Sequence, residues 1–444
     1  MKRRTFLKAA VVLSAVPGTR IGEAATSEET EGVAELTERL NPKIREAREV
    51  AMKILKPSEK ELSRGLQLHA ESVVFDAYGF SPRAAIDGAA YAAAVAAGAS
   101  DLELRDLREE MSMTRYVHNP AEQREYRDAW RASGVTCIFQ NAGEEGQDPL
   151  RLVKRLARFT YATDMLRDLV AKAAVPDDVL DAKRHGRHCL YFSGNGVPLT
   201  QQWVSVPDEL RYLRVFYQLG IRMMHLTYQR RNMIGDGCGE KSDAGLSDFG
   251  RQVIAEMNRV GVIPDCAHSG WRTSLEAAEV SGKPVVASHT TCTALDANPH
   301  ARSKPDNVIR AIADSGGYVG ICCIPRFLRG KGDISALLDH VDYAARKFGA
   351  DHVAIGTDVS YSSQNSAEER KKVPRLPKGR TEFRSLWPAD TFQTTQQMTD
   401  SVAWTNWPLF TVGLVQRGYS DEEIRKIIGG NVIRVTRDAL GRTQ

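Results

Sequence analysis

The chain has 444 residues, 42% of them hydrophobic and 26% charged, with 60 Lys and Arg against 56 Asp and Glu, a formal charge of +4. These proportions exclude a disordered or collagen-like chain, and seven cysteines are too few for a disulfide scaffold, their odd number leaving one thiol unpaired. Much of the surplus base lies in residues 1–25, without which 55 basic and 55 acidic residues remain, so no nucleic-acid-binding face is expected.

Lys2, Arg3, Arg4 and Lys8 lead into an apolar run at 9–16, followed by Pro17, Gly18 and small residues around Ala24 and Ala25. A charged start, a short apolar stretch and small residues make residues 1–25 a secretory signal peptide. Arg3-Arg4 followed by Phe6-Leu7-Lys8 resembles a twin-arginine signal, which exports folded proteins. The apolar run falls short of the roughly 20 residues that a membrane span needs. The expectation is an exported, periplasmic protein with no stable membrane span after processing.

Residues 26–68 are helical in pattern and heavily charged (ELTERL, KIREAREVAMKIL) and read as an N-terminal helical extension. Beyond them, β-branched runs at 73–75, 135–139, 189–192, 223–226, 262–266, 284–288, 318–322 and 353–356 alternate with helix-length amphipathic stretches, the clearest at 208–219, 247–260, 271–280, 306–315 and 334–348. Strand and helix in alternation imply a parallel sheet. Eight strands match a closed (β/α)₈ TIM barrel over residues 69–444, and no GxGxxG follows a strand to favour an open nucleotide-binding sheet. The adjacent pair Cys322-Cys323 suits a buried strand better than a bridge. Residues 361–394 show no periodicity and carry Phe383, Trp387 and Phe392, so they read as a surface insertion or, more sharply, a lid.

In such a barrel the chemistry gathers where strands run out into loops. Those positions hold Asp76, Gln140, Gly194, Tyr228, His268, His289 and Asp358. Two histidines and a carboxylate from separate strands would meet in one pocket. His300, His340 and His352 fall in loop or helix context and receive no role.

The stretches LGIRMMHLTY, GLSDFGRQVIAEMNRVGVIPDCAHSGW, KPVVASHTT, NPHARSKPDNVIRAIADSGGYVG, DHVDYAARKFGADHVAIGTD and GYSDEEIRKIIGGNVIRV resemble, in order, the membrane dipeptidase (renal dipeptidase) family. The resemblance implies a barrel of the metal-dependent amidohydrolase type, two zinc ions, hydrolysis of dipeptides and, often, a homodimer. It makes His268, in Asp265-Cys266-Ala267-His268, and His289, in Ser288-His289, the two ligands of one zinc. Arg302 falls where the family binds the substrate carboxylate, and Asp358 where it keeps the general base. Tyr228 stands where the family's Leu-Thr-His has the histidine that stabilises the tetrahedral intermediate.

The other half of that site is lost from the sequence. The family's first strand ends Asp-Gly-His-x-Asp, but here Asp76-Ala77-Tyr78-Gly79-Phe80 puts Tyr78 and Phe80 at the ligand positions. Gly194 falls where a glutamate should bridge the two metals. Phenylalanine and glycine cannot coordinate a cation, and neutral tyrosine is a poor ligand, so two-metal water activation should be lost. The expectation is one zinc at most, or no metal at all. Three readings stand open: a hydrolase of dipeptide-like or other small amide substrates with a mononuclear or altered zinc site; a degenerate fold that binds a peptide-like ligand as a periplasmic maturation protein, for example in siderophore maturation; and metal-free acid–base chemistry by Asp358 with Tyr78 or Tyr228.

Overall fold

Among the described residues, nine short strands alternate with helices: β1 (Phe75–Gly79), β2 (Cys137–Asn141), β3 (Val170–Lys172), β4 (His188–Gly194), β5 (Ile221–His225), β6 (Ile263–Asp265), β7 (Ala287–Thr290), β8 (Val319–Ile321) and β9 (Val353–Ile355). The computed structural model describes residues 40–143, 148–297, 300–375, 387 and 390–440. The expected signal peptide and the first part of the expected extension lie outside the described residues. β1, β2, β4, β5 and β6 pair in that order and β7, β8 and β9 form a second run, every pair parallel.

Two seams join these runs into a ring. At one, Asp265 and Val286 bridge, and the Cys266 N–H donates to Val286 O at 2.7 Å. At the other, the Asp358 N–H donates to Tyr78 O at 2.9 Å, while the Thr357 N–H and hydroxyl donate to the Asp76 carboxylate at 2.9 and 2.6 Å. The ring is the eight-stranded (β/α)₈ barrel that the strand count implied. Its strands are those read from the sequence, with shifted ends. Sequence reading placed the first strand at 73–75, but parallel pairing with β2 carries it on through Asp76 to Gly79, residues of weak strand preference. β3 was not foreseen; it pairs only with the opening residues of β4.

The helices follow their caps. Ser247 accepts from the Gly250 N–H to start the helix Asp248–Val260, whose buried Val253, Ile254 and Met257 lie on one face, and Gly261 ends it at φ 98°. Helices Trp271–Val280 and Ile334–Phe348 have the ends that sequence periodicity gave.

The described part of the N-terminal extension is two helices, Pro42–Leu55 and Glu59–Glu71. Asn41 caps the first, and a Ser58–Glu61 capping box opens the second. The second packs on the helix Trp407–Gln416 so closely that a Cβ at Gly65 would stand 2.6 Å from Val412 Cα. Only glycine permits that approach.

Within the 361–394 segment, Ser366–Lys371 is helical, and Asp390 pairs with Arg329 at 2.9 Å. All seven cysteines are unpaired and buried. Among the described residues, no helix is long and apolar enough to cross a membrane.

Candidate active site

The loops at the C-terminal ends of the strands surround a cavity of about 320 Å³. Its lining includes Tyr78, Phe80, Tyr228, His268 and Asp358, five of the residues singled out from the sequence, together with Arg326, Phe327 and Trp387. His268 meets His289 behind the cavity lining, their Nε2 atoms 3.1 Å apart.

The two imidazoles are set by neighbours one layer back. Gln229 Oε1, an acceptor only, lies 3.0 Å from His268 Nδ1, which places the proton on Nδ1 and leaves Nε2 bare. Gln229 itself sits at φ 58°, a left-handed conformation that turns the chain sharply after Tyr228. The Ser288 hydroxyl lies 2.8 Å from His289 Nδ1. Burial drives both histidines well below their ordinary pKa, and the nearby charges of Arg302 and Lys304 push the same way. Both rings are therefore neutral, the form that ligates a metal.

Asp358 follows β9 at φ 56°, a region that non-glycine residues enter rarely and Asp more readily than most. The bend there brings its side chain to the cavity wall. Tyr228 stacks on His268 with ring centroids 4.1 Å apart. Trp387, from the 361–394 segment, stands edge-on to Tyr228 at 6.4 Å and to His268 at 6.0 Å.

The half of the site expected to be lost is filled. The Tyr78 ring lies flat on His289, centroids 4.0 Å apart and planes within 12°, and its hydroxyl donates to Asn195 Oδ1 at 2.5 Å. A Cβ on Gly194 would stand 2.9 Å from Gly196 O, tighter than ordinary contact, so the backbone has closed where a bridging glutamate would need room.

Two residues at strand ends and one in the loop after β7 serve the scaffold. Asp76 is fully buried and accepts from Thr357 and, at 3.1 Å, from the Trp404 indole. Burial raises its pKa to about 7 against the pull of those hydrogen bonds. Gln140 accepts from the Ser81 N–H at 2.6 Å and donates to Asn141 O. Arg302 is buried and absent from the cavity lining. Its guanidinium donates to Ala267 O and, at 2.8 Å, to His289 O, tying together the strand ends that carry the two histidines.

Sequence reading missed His225. Among the described residues, His225, Asp265 and His289 form the one cluster whose potential ligand atoms all lie within 4.8 Å of one another. Register sets His225 opposite Asp265 across β5 and β6, and His225 Nε2 comes within 2.8 Å of Asp265 Oδ2. That approach is off the axis of a good hydrogen bond, so both atoms are unsatisfied as donor and acceptor. Burial pushes the Asp265 carboxyl up, but His225 and hydrogen bonds from Ser288 outweigh it and hold it below the usual range. The available signal was a histidine directly after the apolar pair Met223-Met224, where β5 ends.

The chain is similar to known proteins in sequence and in fold. The sequence is 26% identical over 330 residues to a dipeptidase, tcpJ, of Claviceps purpurea (strain 20.1), covering 73% of this chain and 64% of the relative, so the chain spans less than two thirds of that protein's length. The fold is similar to an amidohydrolase from Pseudomonas aeruginosa, with a TM-score of 0.61 and 25% identity over 85% of this chain and 99% of that one. It is also similar to the probable dipeptidase PvdM from Pseudomonas aeruginosa, with a TM-score of 0.60 and 18% identity over 86% and 98% of the two chains. The sequence model of the membrane dipeptidase family, peptidase family M19, matches residues 67–379, and with that match over most of its length the chain belongs to this family.

Proposed function

We propose that this protein is an exported hydrolase of dipeptide-like amides that works with a single zinc ion. The observation that carries the reading is the pair of neutral imidazoles, His268 and His289, with Nε2 atoms 3.1 Å apart beside the cavity that His268 and Asp358 line. Two nitrogen donors at that spacing suit one tetrahedral zinc. The donors of the second metal position do not fit: Tyr78 is stacked and hydrogen-bonded, Phe80 has no ligand atom, and Gly194 has no side chain. His268 and His289 would hold the ion, which supplies Lewis acidity to a bound water or carbonyl oxygen.

The chain's own groups supply the rest. Asp358 accepts the proton of the attacking water. The Tyr228 hydroxyl donates to the oxyanion that forms on the attacked carbonyl. Trp387 covers the site from the edge and lowers its access to water. Export is supported by Arg3-Arg4 and the short apolar run after them.

A second reading, a binding or maturation protein without hydrolysis, as in siderophore maturation, is favoured by the tight Tyr78–Asn195 closure of half the site. Elemental analysis and a dipeptide panel on the purified mature protein separate the two. The hydrolase reading expects one zinc per chain, lost in His268→Ala, and cleavage abolished in Asp358→Ala with zinc retained. A protein free of zinc whose function survives His268→Ala overturns it, and so does a zinc content of two.

A further inference from the structure

Arg302, the arginine that the family resemblance assigns to the substrate carboxylate, has its guanidinium committed to the carbonyls of Ala267 and His289. It is 1% exposed. The Phe327 ring lies against it, 5.6 Å from Arg302 Cζ, and Phe327 lines the cavity whereas Arg302 does not. An apolar ring therefore stands between that charge and any ligand.

On the cavity side of the same ring is a second guanidinium. Arg326, in the short helix Pro325–Leu328 after β8, lines the cavity and is partly buried. Its Cζ lies 4.7 Å from the centroid of Phe327 and 4.6 Å from that of Trp387. Those rings stack on each other 5.4 Å apart with planes 21° from parallel, so a platform of two rings from two segments braces the guanidinium. Among the described residues Arg326 makes no hydrogen bond and no ion pair. Stacking spends the face of a guanidinium and leaves its five edge donors unspent. A partly desolvated guanidinium held in place by its face, with its edge open to a cavity, is built to take a planar anion.

We propose that Arg326 is the residue of this pocket that binds the substrate's free carboxylate, so that specificity for a dipeptide-like acid is set on the Trp387–Phe327 platform rather than at Arg302. This rests on the reading of the pocket as a dipeptide site. Reach is adequate: Trp387 is 4.6 Å from Arg326 and 6.0 Å from the His268 ring, and two extended residues span about 7 Å. Asp358 also lines the cavity, and it disfavours a carboxylate placed beside it, which helps to orient the ligand.

The test compares Ala-Phe with its C-terminal amide by isothermal titration calorimetry, on the zinc-supplied full mature protein and its Arg326→Gln and Arg326→Lys variants. The acid should bind the wild type about 10- to 100-fold more tightly than the amide, the range for a charge-assisted bidentate contact. Arg326→Gln should bring that ratio to about 1 by weakening the acid alone, and Arg326→Lys should restore part of it, since a point charge replaces the fork. Unchanged melting temperatures show that the variants are folded. A preference for the acid that survives in Arg326→Gln overturns the proposal, as does a wild type that does not discriminate. Hydrolysis of Ala-Phe is followed alongside: binding with the expected preference but without cleavage supports the role of Arg326 while refuting the hydrolase reading.

Discussion

Replacing His225 with leucine removes the one close partner of a carboxylate oxygen at the centre of the barrel. Asp265 is fully buried; its Oδ1 accepts from the Ala267 and Ser288 N–H groups at 2.9 and 3.0 Å, and its Oδ2 has His225 Nε2 at 2.8 Å. Stranding a buried carboxylate by removing its partner costs about 3–5 kcal/mol. The off-axis approach of His225 places this case near the lower end, about 3 kcal/mol. Roughly 400 ordered residues give an unfolding entropy near 0.8 kcal/mol/K, so the melting temperature should fall by about 4 °C. Adding Asp265→Asn removes the stranded charge, and the double variant should recover at least about 1 kcal/mol relative to the sum of the single losses. The sign with pH follows from Asp265, whose folded pKa is depressed. Its contribution is present above the unfolded value of about 3.9 and is lost as pH falls through the folded value, so the gap between wild type and His225→Leu should be full at pH 7 and shrink below about pH 4. Scanning calorimetry and urea titration at both pH values provide the measurement. A His225→Leu protein melting within about 1 °C of wild type would show that the pair carries no such energy, and strict additivity in the double variant would refute the coupling.

Two further outcomes follow from the same geometry. Asp76 keeps its proton up to about pH 7 in the folded chain and only to about pH 4 when unfolded, so its contribution to stability declines by about 4 kcal/mol as pH rises between those values; denaturant titrations should show Asp76→Asn losing that part of the slope, and an identical slope in the variant would count against it. Gly194→Glu, the family's residue restored, should cost about 1–3 kcal/mol through overpacking against Gly196 O and leave zinc content unchanged; a gain of a second equivalent by elemental analysis would contradict the closed backbone.

Sequence reading found the barrel because each strand carries a local β-branched signal and the count of eight is a property of topology. It missed β3, whose three residues sit inside a helical pattern and become a strand only because β4 offers an edge. The convergence of Tyr228, His268 and Asp358 was legible for a related reason: residues at strand ends must face one mouth once the strands close into a ring. Position along the chain says nothing about which way a long side chain turns. Arg302 lies where the resemblance put it, yet its guanidinium is drawn to two backbone carbonyls and screened by Phe327, a contact set by the helix at 325–328. His225 escaped because the expected strand ran on to Leu226, so that it was not read as a strand-end residue, and only register with β6 reveals its neighbour.

The grip of Thr357 and Trp404 on Asp76 joins residues 281 and 328 positions apart. A ribosome therefore finishes most of the chain before the first strand gains its second neighbour. Until then β1 presents an open parallel edge beside an uncompensated buried carboxyl, the kind of edge that pairs with other chains. Closure of the ring thus falls late in synthesis, and any truncation ahead of Thr357 leaves a sheet that cannot be sealed.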